Sequence, residues 1–150
     1  MKKGEIERTA EKYGIDLVYL FGSRAKEGAR YLAGETTGFE GLSDLDLAVG
    51  FQNIPSEPTR IYGALYREFS EIFEPFNIDL VFLHEMDTLF QYEMIKGVRI
   101  YEKCGFPADE FEERIIKKSA DLAVKKKILN REILEAIADG YFEFEYQPGS

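Results

Sequence analysis

Residues 16–51 read DLVYLFGSRAKEGARYLAGETTGFEGLSDLDLAVGF, and their order decides the fold. Residues 16–21 are apolar, rich in branched and aromatic side chains, and stop at Gly22-Ser23, which predicts a strand ending in a turn. Residues 44–51 alternate polar and apolar, the pattern of a second strand. In a strand, residues two apart share a face, so Asp44 and Asp46 project together while Leu45, Leu47 and Val49 face a core. Between these strands, Arg24-Ala25-Lys26 predicts a helix start. The glycine- and threonine-rich stretch 31–41 reads as an inserted loop.

Working outward, residues 78–83 (IDLVFL) predict a third strand and residues 98–101 a short fourth. Residues 3–13 place Ile6, Ala10 and Tyr13 on one helical face and stop at Gly14, a C′ glycine. Residues 57–74 carry apolar side chains at spacings of three and four, with Ser56 placed to cap and Pro58 in the first turn. Residues 88–96 predict a shorter helix that buries Leu89, Met94 and Ile95. Strands alternating with helices in so short a chain indicate an α/β (α+β) layer arrangement.

The C-terminal part differs. Asp109 and Glu112 have capping-box spacing after Pro107, and Phe111, Ile115, Leu122, Leu129, Ile133 and Ile137 recur at helical intervals up to Gly140. One helix over 110–139 would be about 45 Å long, longer than the domain is wide. It is expected to break near Asn130, or to project and seek a partner. Residues 114–131 hold seven Lys or Arg against one acid, a local charge of +6 within a chain of net charge −9, so the remainder carries −15. The reading divides the chain into a domain over 1–106, a helical extension over 107–140 and a tail over 141–150.

Composition narrows the chemistry. A net charge of −9 argues against a nucleic-acid groove, and the absence of tryptophan argues against a single-strand stacking platform. The single histidine, His84, and single cysteine, Cys104, leave too few ligands for a Cys/His zinc site, and a Ser-His-Asp triad would have to use that one histidine. No apolar run approaches the roughly 18 residues of a membrane span. The first residues, MKKGE, lack the apolar core of a signal peptide, so a soluble cytoplasmic protein is expected. Carboxylates remain, and with them chemistry on Asp or Glu and a hard metal ion.

Three elements carry that chemistry. Gly22-Ser23, between a strand and a helix start, lets a ligand approach the backbone, and the following amides can point at an anion. Asp44 and Asp46 repel each other unless a divalent cation lies between them. Asp79, inside an apolar run, reads as a buried carboxylate that must be paired or metal-bound.

In this order, the motifs LFGSRAKEG, SDLDLAV and IDLVFL resemble the minimal nucleotidyltransferases of the DNA polymerase β superfamily. The resemblance implies that superfamily's fold, a small mixed sheet with flanking helices, here with a C-terminal helical extension. It implies that Gly22 and Ser23 hold nucleotide phosphates, that Arg24 reaches the terminal phosphate, and that Asp44, Asp46 and Asp79 ligate two Mg²⁺ ions and carry catalysis. It further implies ATP as substrate and a HEPN-domain partner, whose tyrosine would receive AMP in a toxin–antitoxin module. Two other readings stand beside this one. One is an antitoxin that acts by contact alone with a vestigial site; the other is a transferase acting on a small hydroxylated molecule. One departure is visible: twenty residues separate Ser23 from Asp44, about twice the spacer of the family resembled.

Overall fold

The computed structural model describes residues 2–35 and 44–139. Its sheet has four strands, β1 (Ile15–Phe21), β2 (Leu45–Phe51), β3 (Ile78–Phe82) and β4 (Val98–Glu102), in the order β3-β2-β1-β4. β1 runs antiparallel to both β2 and β4, whereas β2 and β3 are parallel. A parallel pair needs a long crossover, and α3 (Pro58–Ile72) supplies it. The remaining helices are α1 (Lys2–Tyr13), α2 (Ala25–Leu32), α4 (Thr88–Ile95) and α5 (Ala108–Ala138).

Helices cover both faces. On one, Val18, Leu20, Leu45, Leu47 and Val49 pack against Ile6 and Ala10 of α1 and Leu65 and Phe69 of α3. On the other, Leu17, Tyr19, Phe21 and Ala48 meet Met94 of α4 and Ala108 and Ile115 of α5. Every residue of β1 is therefore buried, which is why residues 17–21 are apolar throughout while β2 alternates. The α/β alternation and the apolar face of β2 appear as read from the sequence.

Several local expectations are corrected. α3 begins at Pro58 after Glu57, with no side-chain cap, so Ser56 does not cap it. Leu89 is exposed; α4 turns Met94 and Ile95 inward, and its cap is Asp87, which accepts from the Phe90 N–H at 2.8 Å. Tyr31 and Leu32 belong to the last turn of α2 rather than to a loop, and residues 36–43 lie outside the described residues.

Of the two courses left open for α5, the structure shows the second: it does not break at Asn130 but runs unbroken for 31 residues, about 46 Å, and its far half projects from the body. Nor does Asp109 cap it, since Pro107 stands at the N-cap without a side-chain bond. Asp109 and Glu112 instead hold Arg99 of β4, at 3.3 and 2.6 Å, because that guanidinium is the nearer strong donor. Glu112 also accepts from the buried Tyr19 hydroxyl at 2.6 Å. Burial pushes the Tyr19 phenol up, so it stays a donor. α5 is thereby fastened to the two adjacent strands β1 and β4.

This fastening separates two kinds of ion pair. Glu112→Ala strands the Tyr19 hydroxyl and should cost about 2–3 kcal/mol in urea denaturation. Asp109→Ala, at a side chain 89% exposed, should cost less than about 0.5 kcal/mol. Equal losses would show that Glu112 is an ordinary surface contact.

Candidate active site

Strand register gathers the site. β2 and β3 are parallel with Asp46 directly beside Asp79, and the antiparallel pairing of β1 and β2 sets Phe21, the residue before Gly22, opposite Asp46. The end of β1 and the starts of β2 and β3 thus lie at the same end of the sheet. Asp44 precedes Asp46 by two residues and is exposed; Asp46 is half-buried. Burial raises the Asp46 carboxyl above its usual range, and the charges of Asp79 and Asp44 raise it further. The carboxylates are therefore close enough to repel one another across the strand pair.

Asp79 departs from expectation. It is exposed, because β3 is the edge strand and Asp79 its second residue, so no burial penalty attaches to it. Its apolar neighbours Ile78 and Leu80 point to the opposite face.

Gly22 closes the site from the side of β1. It has a φ of 77°, the left-handed region, and a Cβ there would collide with the Asp46 Oδ2. The turn thus needs glycine twice, for its backbone and for room beside a carboxylate. Ser23 follows, and the first turn of α2 begins at Ala25, so amides at that helix end are directed toward the turn.

A cavity of about 590 Å³ opens against Gly22 and Ser23. Lys26, Lys96, Glu93 and Gly97 line it further out. Lys96 and Gly97 escaped the sequence reading, since they lie at the joint of α4 and β4, more than seventy residues from the Gly-Ser turn. Gly97 between a helical and a strand pattern was the available signal. Its hydrogen in place of a side chain lets this turn press onto the backbone of Leu20 and Phe21, where any Cβ would clash. Arg24 behaves otherwise: it is buried, ion-paired with Glu27 at 3.3 Å, and does not line the cavity.

The donor set can be tested for metal. Among the described residues no group of three carboxylate, imidazole or thiolate side chains could by itself hold a metal ion, so Asp44, Asp46 and Asp79 do not converge as a preformed triad. Mg²⁺ is held by one or two carboxylates, waters and substrate phosphates. Asp46, with Asp79 beside it across the strand pair, fits that demand.

The sequence profile described as Polymerase beta, Nucleotidyltransferase matches residues 4–104. The chain belongs to this family. It is, by that membership, a nucleotidyltransferase, and the matched residues span the whole sheet. No curated protein matches the sequence. Solved structures share the fold, among them the following three. One is a crystal structure of a toxin–antitoxin complex with AMP-PNP, with TM-score 0.61 at 15% identity, covering 89% of this chain and 99% of that one. Another is a mutant MntA–HpeT toxin–antitoxin, with TM-score 0.63 at 14% identity and the same coverage. A third holds a tri-AMPylated Shewanella oneidensis HEPN toxin with an MNT antitoxin, with TM-score 0.59 at 15% identity, covering 89% of this chain and 96% of that one. Among the described residues no helix is long and apolar enough to cross a membrane.

Two variants test the geometry. Gly22→Ala should cost about 1–2 kcal/mol from the left-handed backbone alone. By displacing Asp46 it should also slow nucleotidyl transfer about 100-fold or more. Asp46 binds its proton more tightly in the folded chain, so its ionisation destabilises the fold as pH rises through the raised value. Asp46→Asn should therefore raise Tm at pH 7 and leave it unchanged near pH 3, where both folded and unfolded wild type are protonated. A Tm lowered at pH 7 would make Asp46 a structural residue.

Proposed function

We propose that this nucleotidyltransferase moves AMP from ATP to a tyrosine hydroxyl of a HEPN-type partner protein, acting as the antitoxin of a toxin–antitoxin pair. The observation that carries the chemistry is Asp46, set beside Asp79 and against Gly22, a residue that lines the cavity. The choice of acceptor rests on the fold neighbours: one is a toxin–antitoxin complex holding an ATP analogue, and another contains an AMPylated HEPN toxin.

In this reading the triphosphate lies along Gly22-Ser23, with the Ser23 hydroxyl and the amides opening α2 donating to its oxygens. Lys26 and Lys96 neutralise the phosphates that leave. Lys96 pairs with Glu93 at 3.0 Å and would exchange that carboxylate for phosphate. Asp44, Asp46 and Asp79 are the residues to hold Mg²⁺, which when bound supplies charge neutralisation at the reacting phosphate and acidifies the acceptor hydroxyl. The tyrosine oxygen attacks the α-phosphorus in line, its new bond replaces the bond to the bridging oxygen, and pyrophosphate departs while the phenolic proton is lost. Most of the acceleration asked of the protein is positioning and charge stabilisation. Arg24, buried beside this turn and paired with Glu27, is the further cation proposed to reach the terminal phosphate.

Incubating the protein with a purified HEPN-type partner, ATP and Mg²⁺ should raise the partner's intact mass by one or more AMP units. The Asp44→Asn, Asp46→Asn double variant should add none. Partner protection in cells that survives this double variant undiminished would move the biological role to contact alone. Lys96→Ala should raise the KM for ATP about tenfold, the loss of about 1.4 kcal/mol of binding. An unchanged KM would leave the cavity without a part in phosphate binding.

A further inference from the structure

The face that α5 lays on the body does not end where the body ends. Ala108, Phe111, Ile115 and Ser119 follow one another at spacings of three and four, and all are buried or half-buried. The same spacing continues through Leu122, Lys126, Leu129, Ile133 and Ile137, yet these residues are exposed. From residue 120 to residue 139 only Ala136 is even half-buried. About 30 Å of helix therefore extends an already packed apolar seam with nothing described against it. The far half of α5 carries hydrophobic residues that its own hydrogen bonds do not require, since lysine or glutamate would serve a solvated helix as well.

Charge identifies the occupant. Residues 125–127 are three consecutive lysines, and Lys126 stands within the apolar seam itself, between Leu122 and Leu129. With Arg114, Lys117, Lys118 and Arg131, they leave Asp121 as the one acid in 114–131. A lysine in the middle of a seam is costly against an apolar surface and favourable against a carboxylate. Outside α5, the body of a second copy shows no apolar groove among the described residues. Apart from α5, the exposed large apolar residues described are Ile54, Tyr62, Tyr66, Leu89 and Phe90, scattered over a loop and two helices.

We infer that the overhanging half of α5 is the docking arm for the acceptor protein: it seats Leu122, Leu129, Ile133 and Ile137 in an apolar groove of a partner whose rim carries carboxylates. This rests on the proposed transfer to a protein and names the surface that selects it. An arm fixed at its base through Glu112, Tyr19 and Arg99 holds its cargo at a constant orientation to the end of the sheet where Asp46 lies. The partner's acceptor residue need then search only a small volume for the α-phosphate, an effective-concentration gain rather than a catalytic contact.

The experiment uses the full-length protein and the purified HEPN-type partner. Leu129→Asp with Ile133→Asp should weaken partner binding in calorimetry at least 100-fold and slow AMP transfer at low partner concentration. Mg·ATP affinity should stay unchanged, and Leu129→Met with Ile133→Met should bind as wild type does. Reversing Lys125, Lys126 and Lys127 to Glu should lower the association rate about tenfold and flatten its dependence on salt. If wild type modifies the partner and the aspartate variant does so equally well at every concentration, the docking arm is refuted while the transfer stands. If wild type transfers nothing to the partner, the proposed function fails, and this inference falls with it. A wild-type dimer in sedimentation that the aspartate variant dissolves would assign the seam to a second copy and overturn the proposal.

Discussion

The site depends on one constraint, the register of β2 between its two neighbours. A shift of one residue would turn Asp46 and Leu47 inside out, putting a carboxylate into the core against α3 and a leucine into solvent. Leu45, Leu47 and Val49 prevent that shift because each is fully enclosed. Hydrophobic burial on one face of the strand thus holds charged groups in place on the other. The repulsion between Asp46, Asp44 and Asp79 opposes folding, and the packed face beneath them offsets it. A functional residue here is destabilising by itself and is kept in position by neighbours that have no chemistry.

The same division recurs at Gly22 and Gly97. Each is small because something else must come close: the Asp46 carboxylate at Gly22, the backbone of β1 at Gly97. The cavity between these turns is therefore a product of two close approaches from distant parts of the chain, and its lysines are delivered by α2 and by the end of α4. Its position beside the aspartates follows from the antiparallel pairing of β4 with β1, which carries residue 97 back to the end of the strand that residue 22 terminates.

α5 belongs to two systems. Its first three turns complete the core over Leu17, Tyr19 and Met94, and its remainder leaves the body altogether. The Tyr19–Glu112–Arg99 group anchors the packed part, which ends at the buried Ser119. A nucleotidyltransferase acting on a protein needs both a rigid site and a means of holding a large acceptor. A helix rooted in the core and projecting from it meets both needs with one element.

The sequence by itself determined the strands, the order of the motifs and the inward face of Leu45, Leu47 and Val49, because two-residue and three-to-four-residue periodicities are local properties; Asp44, expected in the second strand, lies just before it. It also determined that Asp79 would sit in a strand, although not that β3 would be the edge, which left this carboxylate exposed rather than buried. Only the tertiary structure decided the partners across space: Asp46 beside Asp79, Gly22 against Asp46, Lys96 and Gly97 in the cavity wall, Arg24 turned inward to Glu27. It also decided the fate of Asp109 and Glu112, whose capping-box spacing was overridden by the stronger donor Arg99. The unbroken course of α5 had the same kind of origin. Its length against the size of the body left a break near Asn130 or a projecting helix, and nothing within residues 120–138 breaks a helix, so it projects. Periodicity is written residue by residue, whereas pairing between distant residues depends on the sheet order, which no single segment encodes.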